Sequence, residues 1–322
     1  MIRVVKAVRP LLQAIARFNI PFSTSIRLFH TFISPILLYN TENWSMFTDN
    51  ELTKYDNNFI FSDTLTSKID ITHRKFLKSI MGVSRTCPNL AIYGESGETP
   101  ISMKSHRLTL NFWHRVTNLP DTSFAKKALL ENIALRTNWI KTIEKLINTF
   151  NLADKIGNHN KFKIATKYAL ENGYQKWWKN ALNDPNLSRL LFYKKMKLEF
   201  GMENYFKILG FQQRRHISKL RCSDHALEIE KGRHNKGNTR TQAHERVCTI
   251  CKNGHVEDEV HFLLKCDAYN SVRKKYKFEN FKEAFEFFNE KNLSTLGKYL
   301  IEAFDMREQI IKTRRRVYGE GG

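Results

Sequence analysis

The sequence predicts a mostly α fold: a multi-helical region followed by a small C-terminal zinc-knuckle-like module of the Cys-Cys-His-Cys type. Three observations predict it. Apolar residues recur at three- and four-residue spacing along most of the 322 residues, the period of one helix face. No extended alternating pattern of strands and no short repeat interrupts them. The compact departure is a cluster of cysteine and histidine near the C-terminus, where metal ligation can replace a hydrophobic core.

The elements follow in chain order. Residues 1–12 set Arg3, Lys6 and Arg9 among Val and Leu. This reads as a short amphipathic helix interrupted at Pro10, without the clean apolar core of a signal peptide. Over 26–38, Leu28, Phe29, Phe32, Ile33, Ile36 and Leu37 keep helical spacing, and Pro35 bends the segment or starts a new turn. An apolar segment is expected around 53–65, and a helix over 73–81 with Phe76, Leu77 and Ile80 on related faces. Gly82 ends that helix, because glycine enters the left-handed conformation at little cost. Pro88, Gly94, Gly97 and Pro100 favour defined turns over 86–101. Helical periodicity returns at 102–120, 123–133, 139–150 and 162–170, with a short helix from Tyr174 that carries Trp177 and Trp178. Stacking on bases is open to these two indoles, but core packing is the expectation. Asn183, Asp184 and Pro185 break the chain; 187–206 is helix-rich and 217–230 helical. The last helices are expected over 281–289 and 296–316. These elements divide into a helical region at 1–120, a helical connector with a basic surface at 121–240, and the metal module with terminal helices at 241–322.

Composition narrows the partners. Hydrophobic residues make up 41% of the chain and aromatic residues 12%, enough for ordinary cores rather than a disordered charged chain. Lys and Arg number 53 against 32 Asp and Glu, a formal charge of +21. Such a field attracts polyanions, with RNA and DNA first among them. An acidic protein or membrane surface could use the same field. The apolar runs are too short for a membrane span. Five cysteines, three of them gathered locally, suit a metal site in the nucleus or cytoplasm better than a secreted disulfide scaffold.

The basic tract over 210–240 holds Arg214, Arg215, Lys219, Arg221, Lys231, Arg233, Lys236 and Arg240, with Gly232 and Gly237 permitting a loop. With Arg273, Arg314, Arg315 and Arg316, these are the candidate phosphate contacts. The bland alternative for the tract is a hydrated linker whose charges oppose aggregation.

The metal cluster is more specific. Cys248 and Cys251 stand two residues apart, nine residues separate Cys251 from His261, and four separate His261 from Cys266. A tight turn aims the first two thiolates at one ion, and the pattern offers three sulfurs and one imidazole to a tetrahedral structural Zn2+. A helix over 256–264 is expected to carry His261, with Glu257, Asp258 and Glu259 near its positive end. His255 is the rival ligand, or an outer contact to the ion. Cys87 and Cys222 are expected as isolated packing thiols. No enzyme constellation of comparable strength exists. Asp56, Asp63 and Asp70 lack the spacing of a two-metal polymerase centre, and 94–97 is no complete phosphate-binding fingerprint.

Three stretches resemble the C-terminal part of the reverse transcriptases of non-LTR retroelements. The first is 32–39 with Glu42 and Trp44, similar to the region after the polymerase palm. The second is 73–83 followed by 88–97; there Glu98 departs from the basic residue often found at that place, which weakens a local polar or nucleic-acid contact. The third runs from Leu220 through Gly232, Arg246 and Cys248, and is most specific over 256–266, continuing to Tyr269 and Arg273. The resemblance implies a thumb-to-zinc-knuckle region of a protein that copies RNA into DNA. The fingers and palm, with their paired metal-binding aspartates, are not evident. The implied function is therefore a truncated, nucleic-acid-binding remnant without autonomous polymerase activity, open to RNA, DNA, and retroelement or host proteins. The alternatives are a zinc-stabilised helical module for protein interaction or structure, and an accessory part of an active RNA-directed DNA polymerase.

Overall fold

The structure is a computed structural model. It describes residues 2–44, 46–48, 51–52, 61, 67–233 and 241–318. Helices dominate: α1 (Ile2–Arg17), α2 (Phe22–Leu28), α3 (Ser34–Leu37), α4 (Thr41–Trp44), α5 (Lys68–Met81), α6 (Asn89–Ser96), α7 (Ile101–Thr117), α8 (Phe124–Ala134), α9 (Asn138–Thr149) and α10 (His159–Leu182) come first. They are followed by α11 (Leu191–Met196), α12 (Tyr205–Ile208), α13 (Phe211–Arg221), α14 (Glu228–Lys231), α15 (Asn270–Lys275) and α16 (Leu293–Tyr318). Among the described residues the only β pairing is an isolated antiparallel bridge between Val247 and Val256, so the mostly α class holds.

The helices form two compact units, each built from three separate stretches. Unit one comprises residues 1–14, 25–76 and 97–184; unit two comprises 15–24, 77–96 and 185–322. In unit one, α7 is the hub: α4, α8, α9 and α10 all pack against it. The reason is legible in α10, where Phe162, Thr166, Leu170, Tyr174, Trp178 and Leu182 are all buried at four-residue intervals, a ridge that winds slowly around the helix. The Asn158 side chain caps this helix by accepting from the Lys161 N–H at 3.0 Å, satisfying one of its orphan donors. The two helical pieces expected around 162–170 and Tyr174 are therefore one helix of 24 residues. Gly173 does not break it; a Cβ there would stand 2.9 Å from the Phe150 ring, so close packing selects glycine. Trp178 is core, and Trp177 lies against Phe61 and Tyr174.

Other local differences have physical causes. α1 runs through Pro10, forgoing the N–H bond to Lys6, where an interruption was expected. Residues 86–101 do contain turns, but 89–96 between them form α6. The segment 187–206 yields only short helices, and 281–289 yields a 3-10 stretch, Ala284–Phe288. Most of 53–65 lies outside the described residues. As expected, Gly82 terminates α5 with φ +72, and the Val83 N–H reaches back to the Lys78 carbonyl at 3.1 Å, closing the helix end. The turn after α2 is π-helical, Phe29–Ile33. Pro35 explains it: proline has no N–H for the Thr31 carbonyl and its ring crowds that oxygen, so the Ser34 N–H bonds Phe29 instead and the ladder widens.

Unit two is organised by α13 against α16. Phe22 stacks on Phe206 at 3.9 Å between ring centroids, and Phe262 stacks on Phe304 at 4.7 Å. Its polar centre is an ion pair: the Arg221 guanidinium donates to Glu95 through Nε at 3.0 Å and Nη2 at 2.8 Å, and Glu203 lies 3.2 Å away. Burial opposes the charge on Arg221, but Glu95 and Glu203 hold its pKa above the ordinary value. Cys87 and Cys222 are buried here, with the Cys87 thiol directed at the Cys222 carbonyl at 3.9 Å. They are packing thiols, but neighbours rather than isolated ones.

One buried group in unit one makes stability depend on pH. His106 is buried with its ring edge-on to Phe47 at 5.4 Å, and neither ring nitrogen has a hydrogen-bond partner among the described residues. Burial pushes its pKa from 6.5 down to about 4. Between those values the unfolded chain takes up a proton that the folded chain refuses. The stabilisation is therefore complete above 6.5 and is lost as pH falls toward 4. At about 1.36 kcal/mol per pKa unit the loss approaches roughly 3 kcal/mol. His106→Leu is expected to remove that part of the acid sensitivity in urea titrations at pH 7 and pH 4.5; equal acid sensitivity in the variant refutes the assignment.

Candidate metal centre

The C-terminal cluster begins in a short ribbon. Val247 and Val256 form the bridge, the Cys248 N–H donates to the His255 carbonyl at 2.7 Å, and the Glu257 N–H donates to the Arg246 carbonyl at 2.9 Å. Between them the chain reverses through Lys252 and Gly254, with φ +59 and +73; the glycine adopts this left-handed state without strain. The reversal carries Cys248 and Cys251 at its start. Helical structure then begins at Glu259, not at Val256, because Val256 is held in the ribbon. The Asp258 carboxylate caps it by accepting from the His261 N–H at 2.7 Å. The turn His261–Lys265 is π-helical, and the Cys266 N–H returns to the His261 carbonyl at 2.8 Å.

These two pieces bring the four predicted side chains together. The ligand atoms of Cys248, Cys251, His261 and Cys266 all lie within 4.8 Å of one another. Cys248 Sγ is 3.9 Å from Cys266 Sγ, and Cys251 Sγ is 3.5 Å from His261 Nε2. All three thiols are free of disulfides. Cys248, His261 and Cys266 are buried and Cys251 is half-buried. The hydrogen bond shared between Cys248 and Cys266 pushes the first thiol up and the second down. Burial lowers the His261 pKa, which keeps the imidazole neutral, the form a metal needs. The cluster can hold a metal ion. His255 is exposed and contributes its backbone carbonyl; its ring lies 5.9 Å from that of His261, outside the converging set.

The surrounding braces escape sequence reasoning. The Glu257 carboxylate receives Arg307 from α16 at 2.9 and 2.7 Å and the Glu228 N–H at 2.8 Å. His225 Nε2 stands 3.0 Å from Glu259. The Arg307–Glu257 partners are 50 residues apart, and no local signal links them. Glu257 was expected to favour a helix start, yet its carboxylate is spent on this buried pair.

The candidate phosphate contacts separate into groups. Arg214, Arg221 and Arg273 are buried, which corrects their reading as surface cations. Arg214 lies over the Phe22 and Phe211 rings. Arg221 forms the ion pair with Glu95. Arg273 donates to the carbonyls of Phe262, Leu263 and Cys266, at the end of the π-helical turn that carries His261. Arg314 donates to the carbonyls of Thr249 and Ile250, the latter at 3.0 Å. Arg233 pairs with Glu230 at 3.0 Å. Lys231 is exposed beside Glu228 at 3.1 Å; Arg215 and Lys219 are half-exposed, and Arg316 is exposed. Lys236 and Arg240 lie outside the described residues, as does the side chain of Arg315.

Of the three aspartates weighed for polymerase chemistry, Asp56 and Asp63 fall outside the described residues. Asp70 is buried and accepts from the Ser102 N–H at 3.0 Å, capping α7; burial raises its pKa. No helix is long and apolar enough to cross a membrane among the described residues. The chain matches no family model, no curated protein and no solved structure.

Proposed function

We propose that this chain is a nucleic-acid-binding protein whose C-terminal surface is ordered by structural Zn2+ at Cys248, Cys251, His261 and Cys266, and that it works without a catalytic centre of its own. The single observation that carries the binding is the net charge of +21. A positive excess of that size, on a chain with ample core residues, favours phosphate backbones as partners. Three sulfurs and a neutral imidazole fill a tetrahedral shell and suit zinc; a closed shell has a structural rather than a water-activating use. The resemblance to the post-palm region of retroelement reverse transcriptases supports the same partner class. Lys219, Lys231, Arg215 and Arg316 are the phosphate contacts of this reading, acting in the nucleus or cytoplasm.

The test is binding of single-stranded RNA and duplex DNA, followed by fluorescence anisotropy over a salt series. Affinity is expected to fall linearly on a log–log plot, and Lys219→Gln and Lys231→Gln are each expected to reduce the slope for duplex DNA by about 0.9. Absence of binding at low salt by folded, zinc-loaded chain overturns the proposal. One observation favours a second reading, a protein-interaction module: α8 leaves Phe124 89% exposed, with Leu130 and Ile133 also exposed on the same helix. Tighter binding to an acidic protein than to either nucleic acid decides for it.

A further inference from the structure

We propose a second metal site, in unit one, where His30, His73 and Glu98 bind a Zn2+-class cation independently of the Cys-His cluster. Their ligand atoms also lie within 4.8 Å of one another. Glu98 Oε2 is 2.7 Å from His30 Nε2 and 3.7 Å from His73 Nε2. Tetrahedral ligands about 2.0–2.2 Å from zinc stand about 3.3–3.6 Å apart. The His73–Glu98 spacing is thus close to that of two ligands on one ion, and the His30–Glu98 spacing need widen by less than about 1 Å once an ion replaces the proton between them.

The surroundings are built for such a site. His73 is 1% exposed, stacked on Phe29 at 5.0 Å, so its ring has a fixed direction. Glu98 and His30 are 20% and 23% exposed, which leaves an entry from solvent. Ser34 Oγ contacts His30 Nδ1 at 2.9 Å, the outer hydrogen bond that orients a ligating imidazole. His30 sits on the π-helical turn Phe29–Ile33, and His261 sits on another π-helical turn; such turns recur at functional sites. Two imidazoles and one carboxylate leave a tetrahedral ion one position for water.

The nearest opposing group among the described residues is Lys104, whose Nζ lies 2.9 Å from His30 Nδ1 and 3.2 Å from Nε2. Its ammonium competes with a cation for Glu98, so it sets the affinity of the site. Removing it must tighten metal binding, an effect with no counterpart in a cluster that only shares hydrogen bonds.

Titration of the full metal-free chain with Co2+ tests this. Sulfur-to-cobalt charge transfer marks the Cys-His cluster, while the nitrogen–oxygen set adds visible absorption without that band. Two equivalents are expected to bind. Glu98→Gln and His30→Ala are expected to weaken the second by at least about 100-fold, since losing even an outer partner of a ligand costs about 10–100-fold. Lys104→Met is expected to tighten it about tenfold, because a like charge in the site is removed. The sulfur band stays unchanged in all three variants, which separates failure of this site from failure of the zinc reading above. Saturation of the wild type without a sulfur-free second component, or a second equivalent unaltered by Glu98→Gln and Lys104→Met, overturns the site. Those two variants decide the matter even where His30→Ala does not fold.

Discussion

Replacing Arg221 with methionine is expected to destabilise unit two by about 3–5 kcal/mol, the range for breaking one partner out of a buried pair. Arg221 is 3% exposed and Glu95 is 0% exposed. Both have lost their water, and the cost is offset by the two-pronged bond between them, by Glu203, and by the Tyr205 hydroxyl, which also donates to Glu95. Tyr193, Tyr205 and Phe288 present ring faces to the guanidinium at 5.4–6.0 Å. Methionine fills much of the volume but leaves Glu95 charged and unpaired in an apolar setting. The companion double variant Arg221→Met with Glu95→Leu is expected to recover part of the loss, since paired apolar replacement of a buried ion pair is often close to neutral. Urea midpoints of the wild type, the single variant and the double variant check both statements. A single variant within about 0.5 kcal/mol of the wild type, the usual range of an unremarkable surface change, shows that the pair is not a structural centre.

This pair also marks the limit of what the sequence reveals. The helical class, the end of α5 at Gly82 and the convergence of the four Cys-His side chains were legible because each depends on residues close together in the chain. Spacing alone indicates which sulfurs can share an ion and where an apolar stripe runs. Whether an arginine lies inside or outside is decided by partners that spacing does not show. Arg221 and Glu95 stand 126 residues apart, and a basic tract that reads as one surface divides into Arg214 and Arg221 in the core and Lys231 outside it. Glu98 is the converse: read as the loss of a basic contact, it is the carboxylate that His30 and His73 face. Units assembled from three stretches each keep such pairings hidden until the chain has folded. The helix start at 259 is displaced for a related reason, since Val256 is held in the bridge with Val247.

Replacing Cys248 or Cys251 with serine is expected to abolish metal binding at the Cys-His cluster and to lower the thermal midpoint of unit two by roughly 6–20 °C. Serine keeps the size but offers no thiolate, and on the proposed zinc reading the three remaining side chains would hold the ion far more weakly. The consequence is expected to spread beyond the ribbon, because Glu257 lies between the cluster and α16. Cys248 Sγ is 3.7 Å from Glu257 Oε1, and the same carboxylate holds Arg307 and the start of α14. On that reading, losing the ion would leave the ribbon and the turn at His261 no longer tied together. The cover over a buried ion pair is then loosened, with Glu257 1% and Arg307 4% exposed in the folded chain. Breaking such a pair outright costs about 3–5 kcal/mol, or roughly 6–20 °C at about 2–4 °C per kcal/mol in a unit of this size, which bounds the part of the drop that loosening it can supply. Metal content by mass spectrometry and thermal unfolding, with and without a zinc chelator, are the measurements. The unit-two transition of the wild type with chelator and that of Cys251→Ser without it are expected to coincide. A Cys251→Ser chain that keeps the full zinc content of the wild type and its melting temperature excludes the cluster as a structural metal site.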